Sequence, residues 1–320
     1  MARRNLRPTA LGDSSLQEKE AKKPLRLLNS SKIEQPQVCL REWKCCQFKT
    51  LPNWLQDNQF LISGHRPPLP SVRECCKSIF RIHTETINIW SHLLGALAFI
   101  GEAIHFMNQE KIPLEQKLVI SVFFFGAVTC FSLSATFHAI HCHSESVCKL
   151  FSKLDYVGIS TLSMGSFFPW LYYGFNCDTW SQMVYWSVTF FLGLATIVAS
   201  LSDKFGTPRW RPIRASIFAG FGLSGVIPAI HYISVRGFIR AFTIDPFGWL
   251  LLMAVLYILG VLFYSSRIPE RWYKGKCDIM GQSHQIFHIL VVAGTYANYH
   301  GVLQLAKLRG ADGFCEGIEI

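Results

Sequence analysis

Four residues of this chain have types and spacing that could do chemistry: His138, Asp155, His284 and His288. His138 closes one long apolar stretch, Asp155 opens the next, and His284 and His288 open the last. Imidazoles and carboxylates are costly beside hydrocarbon, so in such surroundings they mark functional sites. His284 and His288 are spaced i and i+4, which on a helix puts both rings on one face. Ser134 and His138 share that spacing. Two histidines so placed, joined by a third, offer three nitrogen ligands. Three protein ligands with a fourth position open is the pattern of catalytic zinc, whereas structural zinc is usually closed by four ligands, often with Cys. Zinc brings the pKa of its water to about 7. Asp155 would hold that water or act as general base, and Ser134 would orient a ligand or donate to a developing oxyanion. A lone histidine at a membrane end is commonly an interfacial or hydrogen-bonded residue. A set of acid–base groups at one depth, two of them at i, i+4, favours a metal instead. The HxxxH spacing lacks the glutamate of HExxH, so it is no protease signature.

The elements that must position these residues are membrane spans. Of 320 residues, 50% are hydrophobic and 16% charged, against roughly 25% charged in soluble domains. Seven apolar segments, about 87–107, 118–140, 154–175, 182–202, 214–233, 247–265 and 283–303, each approach the length a tilted helix needs to cross a bilayer. The expected fold is therefore all-α: a polytopic membrane protein, a seven-transmembrane helix bundle. Proline in SFFPWLYY and VIPAI is expected to kink the third and fifth spans. An odd number of spans puts the amino-terminal tail and loops 141–153, 203–213 and 266–282 on one side. That side, with Arg214 included, carries 25 of the 31 Lys and Arg. The positive-inside rule then places the amino terminus in the cytosol and the carboxyl terminus outside. His138, Asp155, His284 and His288 all fall at the cytosolic ends of their spans, although none was chosen for its depth. The seventh span has no interior lysine to anchor retinal.

The net charge of +10 belongs mostly to one flank, since 15 Lys and Arg lie in residues 1–81. Such a flank suits anionic lipid at a cytosolic face; no nucleic-acid recognition motif accompanies it. The first 25 residues are polar and basic and show no signal peptide. Three regions are expected: a cytosolic region 1–80, a helical domain 81–305 and an extracellular tail 306–320. Within the first, residues 1–40 read as disordered and 42–80 as partly ordered at the membrane face. Leu51 to Ile62 reads as a short amphipathic piece on the membrane surface or as a soluble loop. Cys45-Cys46 and Cys75-Cys76 should be reduced thiols in the cytosol, with palmitoylation the other reading. His141, Cys142, His143 and Cys148 read as a solvated loop more readily than as a second metal site. Asn88 and His92 would line the cavity or bond across helices. Glu102 and His105 would reach headgroups. Cys177 and Cys315 both fall on the outer side, where oxidation would permit a disulfide.

Several stretches together resemble a known family. They are HTETINIWSHLLG (83–95), SATFHAIHCHSE (134–145), KLDYVGI (153–159), GSFFPWLYY (165–173), RIPERW (267–272) and SHQIFH (283–288), with NWLQDNQFLISGHRPPLPS before the first span. They resemble the progestin and adipoQ receptor family, and most of all its adiponectin receptor branch. The resemblance implies a seven-helix receptor in the plasma membrane with an intramembrane zinc ion on His138, His284 and His288. Asp155 matches the family's aspartate that contacts the zinc-bound water, and Ser134 its S-x3-H serine. The resemblance extends to alkaline ceramidases and implies hydrolysis of the ceramide amide to a fatty acid and sphingosine. It also implies an adiponectin-like extracellular ligand, metabolic signalling, and cytosolic adaptor proteins reached through the amino-terminal region. Two other readings remain open at this point: a signalling receptor in which zinc only braces the helices, and a sensor of membrane lipid.

Overall fold

The computed structural model describes residues 43–205 and 207–311. A flank of single 3-10 turns and a short helix, α1 (Val72–Ser78), leads into the long helices. These are α2 (Thr86–Met107), α3 (Leu114–Ile140), α4 (Glu145–Gly174), α5 (Thr179–Ser200), α6 (Arg211–Leu223), α7 (Val226–Arg236), the short α8 (Phe238–Thr243), α9 (Phe247–Ser266) and α10 (Ser283–Ala311). The described residues contain no sheet, only an isolated bridge between Cys46 and His65. The expected disordered stretch 1–40 and most of the tail 306–320 lie outside the described residues.

Six stretches are long and apolar enough to cross a membrane: α2, α3, α5, the α6–α7 pair counted from Pro208, α9 and α10. The helix expected as the third span, α4, has 30 residues. Serines, glycines and Asp155 dilute its apolar content below that of the other six. The expected fifth span is broken rather than kinked. α6 ends at Leu223 and α7 restarts at Val226, with Pro228 in the first turn, where a missing N–H costs little. The proline of α4, Pro169, stays within one continuous helix.

α3 and α10 form the middle of the bundle, with about half of their apolar windows buried, whereas α5 and α9 bury 17% and 11% of theirs. The core around them is aromatic, with Phe99, Phe123, Phe131 and Tyr299 stacked or edge-on to one another. α3 and α4 approach almost backbone to backbone. A Cβ built on Gly126 would stand 2.8 Å from the Thr161 carbonyl, and one on Gly165 2.9 Å from that of Val122. Small residues permit this approach, and it brings Asp155 on α4 beside Ser134 on α3.

The flank docks on the bundle through protein contacts. Leu51 to Ile62 holds one 3-10 turn, Asn53–Leu55, and its Leu51 and Leu61 are buried in protein. Asn58 donates to Glu270 at 3.1 Å, and the Ile62 and Ser63 N–H groups donate to Asp278 at 3.0 and 2.8 Å. Asp57 pairs with Arg211 at 2.9 Å. Glu270 is fully buried and also accepts from the Ser283 N–H (2.7 Å) and hydroxyl at the start of α10. Glu270→Ala would strand these donors away from water, at roughly 1–3 kcal/mol for each unmet group. Denaturant unfolding in detergent should show a loss of about 3 kcal/mol or more, and unchanged stability would refute this account of the lock.

Candidate metal centre

His138 lies in the last turn of α3, and His284 and His288 in the first two turns of α10. The two helices come from distant parts of the chain, and each end is held by an opposite charge. The Arg66 guanidinium donates to the carbonyls of His138 and, at 2.8 Å, Ala139, both left without helical partners at the C-terminus of α3. A cation there also complements the negative end of the helix. Glu270 does the converse at the N-terminus of α10. Gln282 and Gln285 tie that end of α10 to the Thr84 carbonyl, at 2.8 and 3.4 Å.

These anchors bring three imidazoles together. Ring centroids are 5.1 Å apart for His138–His284, 4.8 Å for His138–His288 and 4.7 Å for His284–His288. One nitrogen from each ring lies within 4.8 Å of the others, and among the described residues this is the one such group of three metal-capable side chains. His138 Nε2 and His284 Nε2 stand 3.3 Å apart. Two ligands at the usual zinc–nitrogen length on a tetrahedron are separated by about the same distance, ~3.3 Å.

The outward nitrogens fix which atoms face the centre. His138 Nδ1 meets the Glu85 carboxylate at 2.7 Å. A carboxylate only accepts, so Nδ1 carries the hydrogen and Nε2 offers a lone pair. His288 Nδ1 meets the Asn88 carbonyl at 3.2 Å, with the same consequence. His284 Nδ1 is buried without a partner. The donor set therefore fits a divalent ion such as zinc: three imidazoles at ligand spacing, two of them held from behind with a lone pair turned inward.

Asp155 is buried on α4, outside this compact group. Ser134 and His138 of α3 are its neighbours. All five residues expected from the sequence thus sit in one region, three as a nitrogen cluster and two as an adjoining hydroxyl–carboxylate pair. Asn88 and His92 both belong to the surroundings. His92 stacks on His288 at 3.7 Å, and neither of its ring nitrogens has a partner.

Other expectations need correction. The loop of His141, Cys142 and His143 is not simply solvated: Cys142 is fully buried, 3.7 Å from Cys75 sulfur to sulfur, and His141 contacts Arg66. Glu102 points into the bundle, where it accepts from Tyr299 at 3.3 Å. Cys45, Cys46, Cys75 and Cys76 are free thiols, and burial leaves Cys75 unsuited to acylation. Cys177 is disulfide-bonded, and Cys315 lies outside the described residues. Sequence reasoning missed Glu85, Arg66 and Glu270. Glu85 did carry a signal, an acid one residue before an apolar run at the depth of the site.

Comparison with known proteins bears on the same region. Residues 80–299 match the Haemolysin-III related family. The chain is 55% identical over 269 residues to the adiponectin receptor protein of Drosophila melanogaster and 52% identical over 269 to progestin and adipoQ receptor-like protein 1 of Caenorhabditis elegans. The chain belongs to the progestin and adipoQ receptor family, on its adiponectin receptor branch. Each of these alignments covers 83% of this chain but only 61% and 62% of those relatives. A third relative, heptahelical transmembrane protein 4 of Arabidopsis thaliana, is 31% identical over 85% of this chain and 91% of its own length. This member of the receptor family is accordingly a polytopic membrane protein. The stretch His83–Glu85 lies inside the matched region and leads directly into α2.

His83 accepts the Glu85 N–H at Nδ1 and donates from Nε2 to the Ser78 carbonyl, both at 3.1 Å. Burial first, and then the Arg66 charge, push its pKa down to about 4. In the unfolded chain it takes up a proton near about pH 6.5. The unfolded state therefore binds more protons between these values, and stability falls as the pH drops. The stability contributed by neutral His83 is complete above about pH 6.5 and is lost on acidification toward 4. The melting temperature of His83→Gln should fall less steeply than the wild type's across this window. Equal slopes would mean that His83 does not carry the effect.

Proposed function

We propose that the chain is an adiponectin-receptor-like seven-helix membrane receptor whose histidine cluster holds zinc and hydrolyses the ceramide amide. The observation that carries this reading is the 3.3 Å approach of two imidazole Nε2 atoms whose rings share a buried site with a third. In this reading α4 is the third of seven spans. Its neighbours α3 and α5 cover it, and the name of the Arabidopsis relative supports the count. The amino terminus is cytosolic and the carboxyl terminus extracellular, as the positive-inside rule requires, in the plasma membrane. The partners are an adiponectin-like ligand outside, in keeping with the name of the Drosophila relative, ceramide or a related sphingolipid within the bilayer, and cytosolic adaptors at the amino-terminal region. The outcome is regulation of lipid and glucose metabolism.

When bound, a zinc ion supplies Lewis acidity and a water made acidic enough to attack an amide carbonyl at neutral pH. The residues of the chain do the rest. His138 and His288 are held with Nδ1 engaged by Glu85 and the Asn88 carbonyl, so both present Nε2 inward. Asp155 takes a proton at its carboxylate and returns it to the leaving amine. Ser134, beside Asp155, would donate to that carboxylate and aim it. The surrounding Phe131 and Phe137 rings limit access of bulk water, which strengthens every charge interaction inside. An outside ligand acts by favouring one arrangement of the helices over another.

A second reading, zinc as a brace only, draws on the burial of His138 and His288, 4% and 1% exposed, and on the position of Asp155 outside the nitrogen cluster. Metal analysis with a ceramide assay separates the two. The purified chain should carry about one zinc, as one three-histidine site requires. His284→Ala with His288→Ala should remove both zinc and turnover. Asp155→Asn should keep the zinc and lower kcat by about 10²–10⁴-fold, the usual contribution of a general acid–base group. Full turnover in Asp155→Asn would exclude that role. Absence of turnover in any form, with ligand response lost alongside zinc, would favour the brace.

A further inference from the structure

The histidine cluster is served from behind by one helix that contributes no ligand. The start of α2 meets His138 with the carboxylate of Glu85, the residue just before the helix, 2.7 Å from Nδ1, and meets His288 with the Asn88 carbonyl of its first turn, 3.2 Å from Nδ1. Glu85 is itself fixed by contacts besides the one to His138. Its Oε2 accepts from Asn88 Nδ2 at 2.7 Å, and its N–H is held by His83. The residue before it, Thr84, donates its N–H to the Gly64 carbonyl at 2.9 Å, and its own carbonyl receives Gln285 of α10 and Gln282 just before that helix. The carboxylate is thus fastened to the flank, to α2 and to α10 before it reaches His138.

Charge adds a second argument. Three neutral imidazoles leave a divalent cation with two uncompensated charges at a depth where ions are costly. Asp155 supplies one negative charge close by. Glu85 supplies another through the ring of His138, to which it is bonded.

We propose that Glu85 is the positioning residue of this site: it locks the His138 imidazole with Nε2 facing inward and places a carboxylate charge behind that ring, which favours a divalent cation in front of it. The proposal rests on the metal reading above. It explains why the ETINIWSH stretch lies where it does, since Glu85 and Asn88 orient two ligands and His92 packs against one of them. A carboxylate behind a ligating histidine raises the basicity of the ring and restricts its rotation. Loss of such a partner typically costs 10–100-fold in metal affinity.

The test is the zinc affinity of the purified full-length chain in detergent, by competition with a chelator, for the wild type, Glu85→Gln and Glu85→Ala. Thermal unfolding of each protein is recorded with and without zinc. Glu85→Ala should bind zinc about 10–100-fold more weakly. Glu85→Gln, which keeps an acceptor without its charge, should fall between the two. The metal-free variants should melt below the wild type, since His138 Nδ1 and Asn88 Nδ2 lose their charged acceptor, while the further rise in melting temperature on adding zinc shrinks in the order wild type, Gln, Ala. A purely structural role would lower the metal-free melting temperature and leave affinity unchanged, which would overturn the proposal. Should Glu85→Ala not fold, Glu85→Gln decides, and wild-type affinity in that variant would overturn it equally. A wild-type chain that binds no zinc would instead remove the metal reading, and this proposal with it.

Discussion

Buried imidazoles brought to 3.3 Å from one another depend on what meets their ring nitrogens. In a low-dielectric interior, every unmet donor or acceptor costs energy. Here the outward nitrogens of His138 and His288 are met by Glu85 and the Asn88 carbonyl. Their inward nitrogens are then left as lone pairs facing a common region. Such a region suits something electron-poor, whether the N–H of His284, whose Nε2 lies 3.3 Å from that of His138, or a cation. The rest of the architecture at this end of the bundle holds that arrangement in place.

Two helix termini meet at the cluster, and each bears the charge opposite to its own partial charge. α3 ends there with a negative terminus, and Arg66 binds its last carbonyls. α10 begins there with a positive terminus, and Glu270 takes its first N–H. Interactions of this kind contribute about 0.3–1 kcal/mol at exposed sites and up to ~2 kcal/mol when partly buried. Neither charge comes from the helix it caps: Arg66 belongs to the flank and Glu270 to the stretch before α10. The flank is therefore part of the scaffold of the site, through Arg66, Asn58 and Gly64.

Much of this was legible in the sequence. Apolar runs located the helices, because a membrane permits little besides helices or closed barrels. Acid–base residues at the ends of those runs located the cluster, because such groups stand out against an apolar background. Glu85, Arg66 and Glu270 were harder to see for the converse reason. They lie in polar stretches outside the spans, Arg66 and Glu85 before the first and Glu270 between the last two, where a charged residue is ordinary and nothing in the local pattern says whether it faces water or a helix end. Leu51 to Ile62 was read by composition as a surface piece. Its partners, Glu270 and Asp278, are more than two hundred residues away, and local periodicity carries no trace of them.

The case of α4 shows why apolarity and structural role diverge in such a bundle. A helix facing lipid must be apolar around most of its circumference, and α9, the least buried of the apolar set, is nearly all Leu, Val, Ile and aromatic. A helix enclosed by others meets side chains rather than lipid, so it can carry Gly for close approach and Ser or Asp for chemistry. α4 does both: Gly165 against Val122 of α3, and Asp155 against Ser134. α3 reconciles the two demands by position, with an aromatic buried face along most of its length and its polar residues, Ser134 and His138, confined to the last turns. The least apolar of the long helices is thus one that its neighbours cover. That same enclosure is what lets it bring a carboxylate to the histidines.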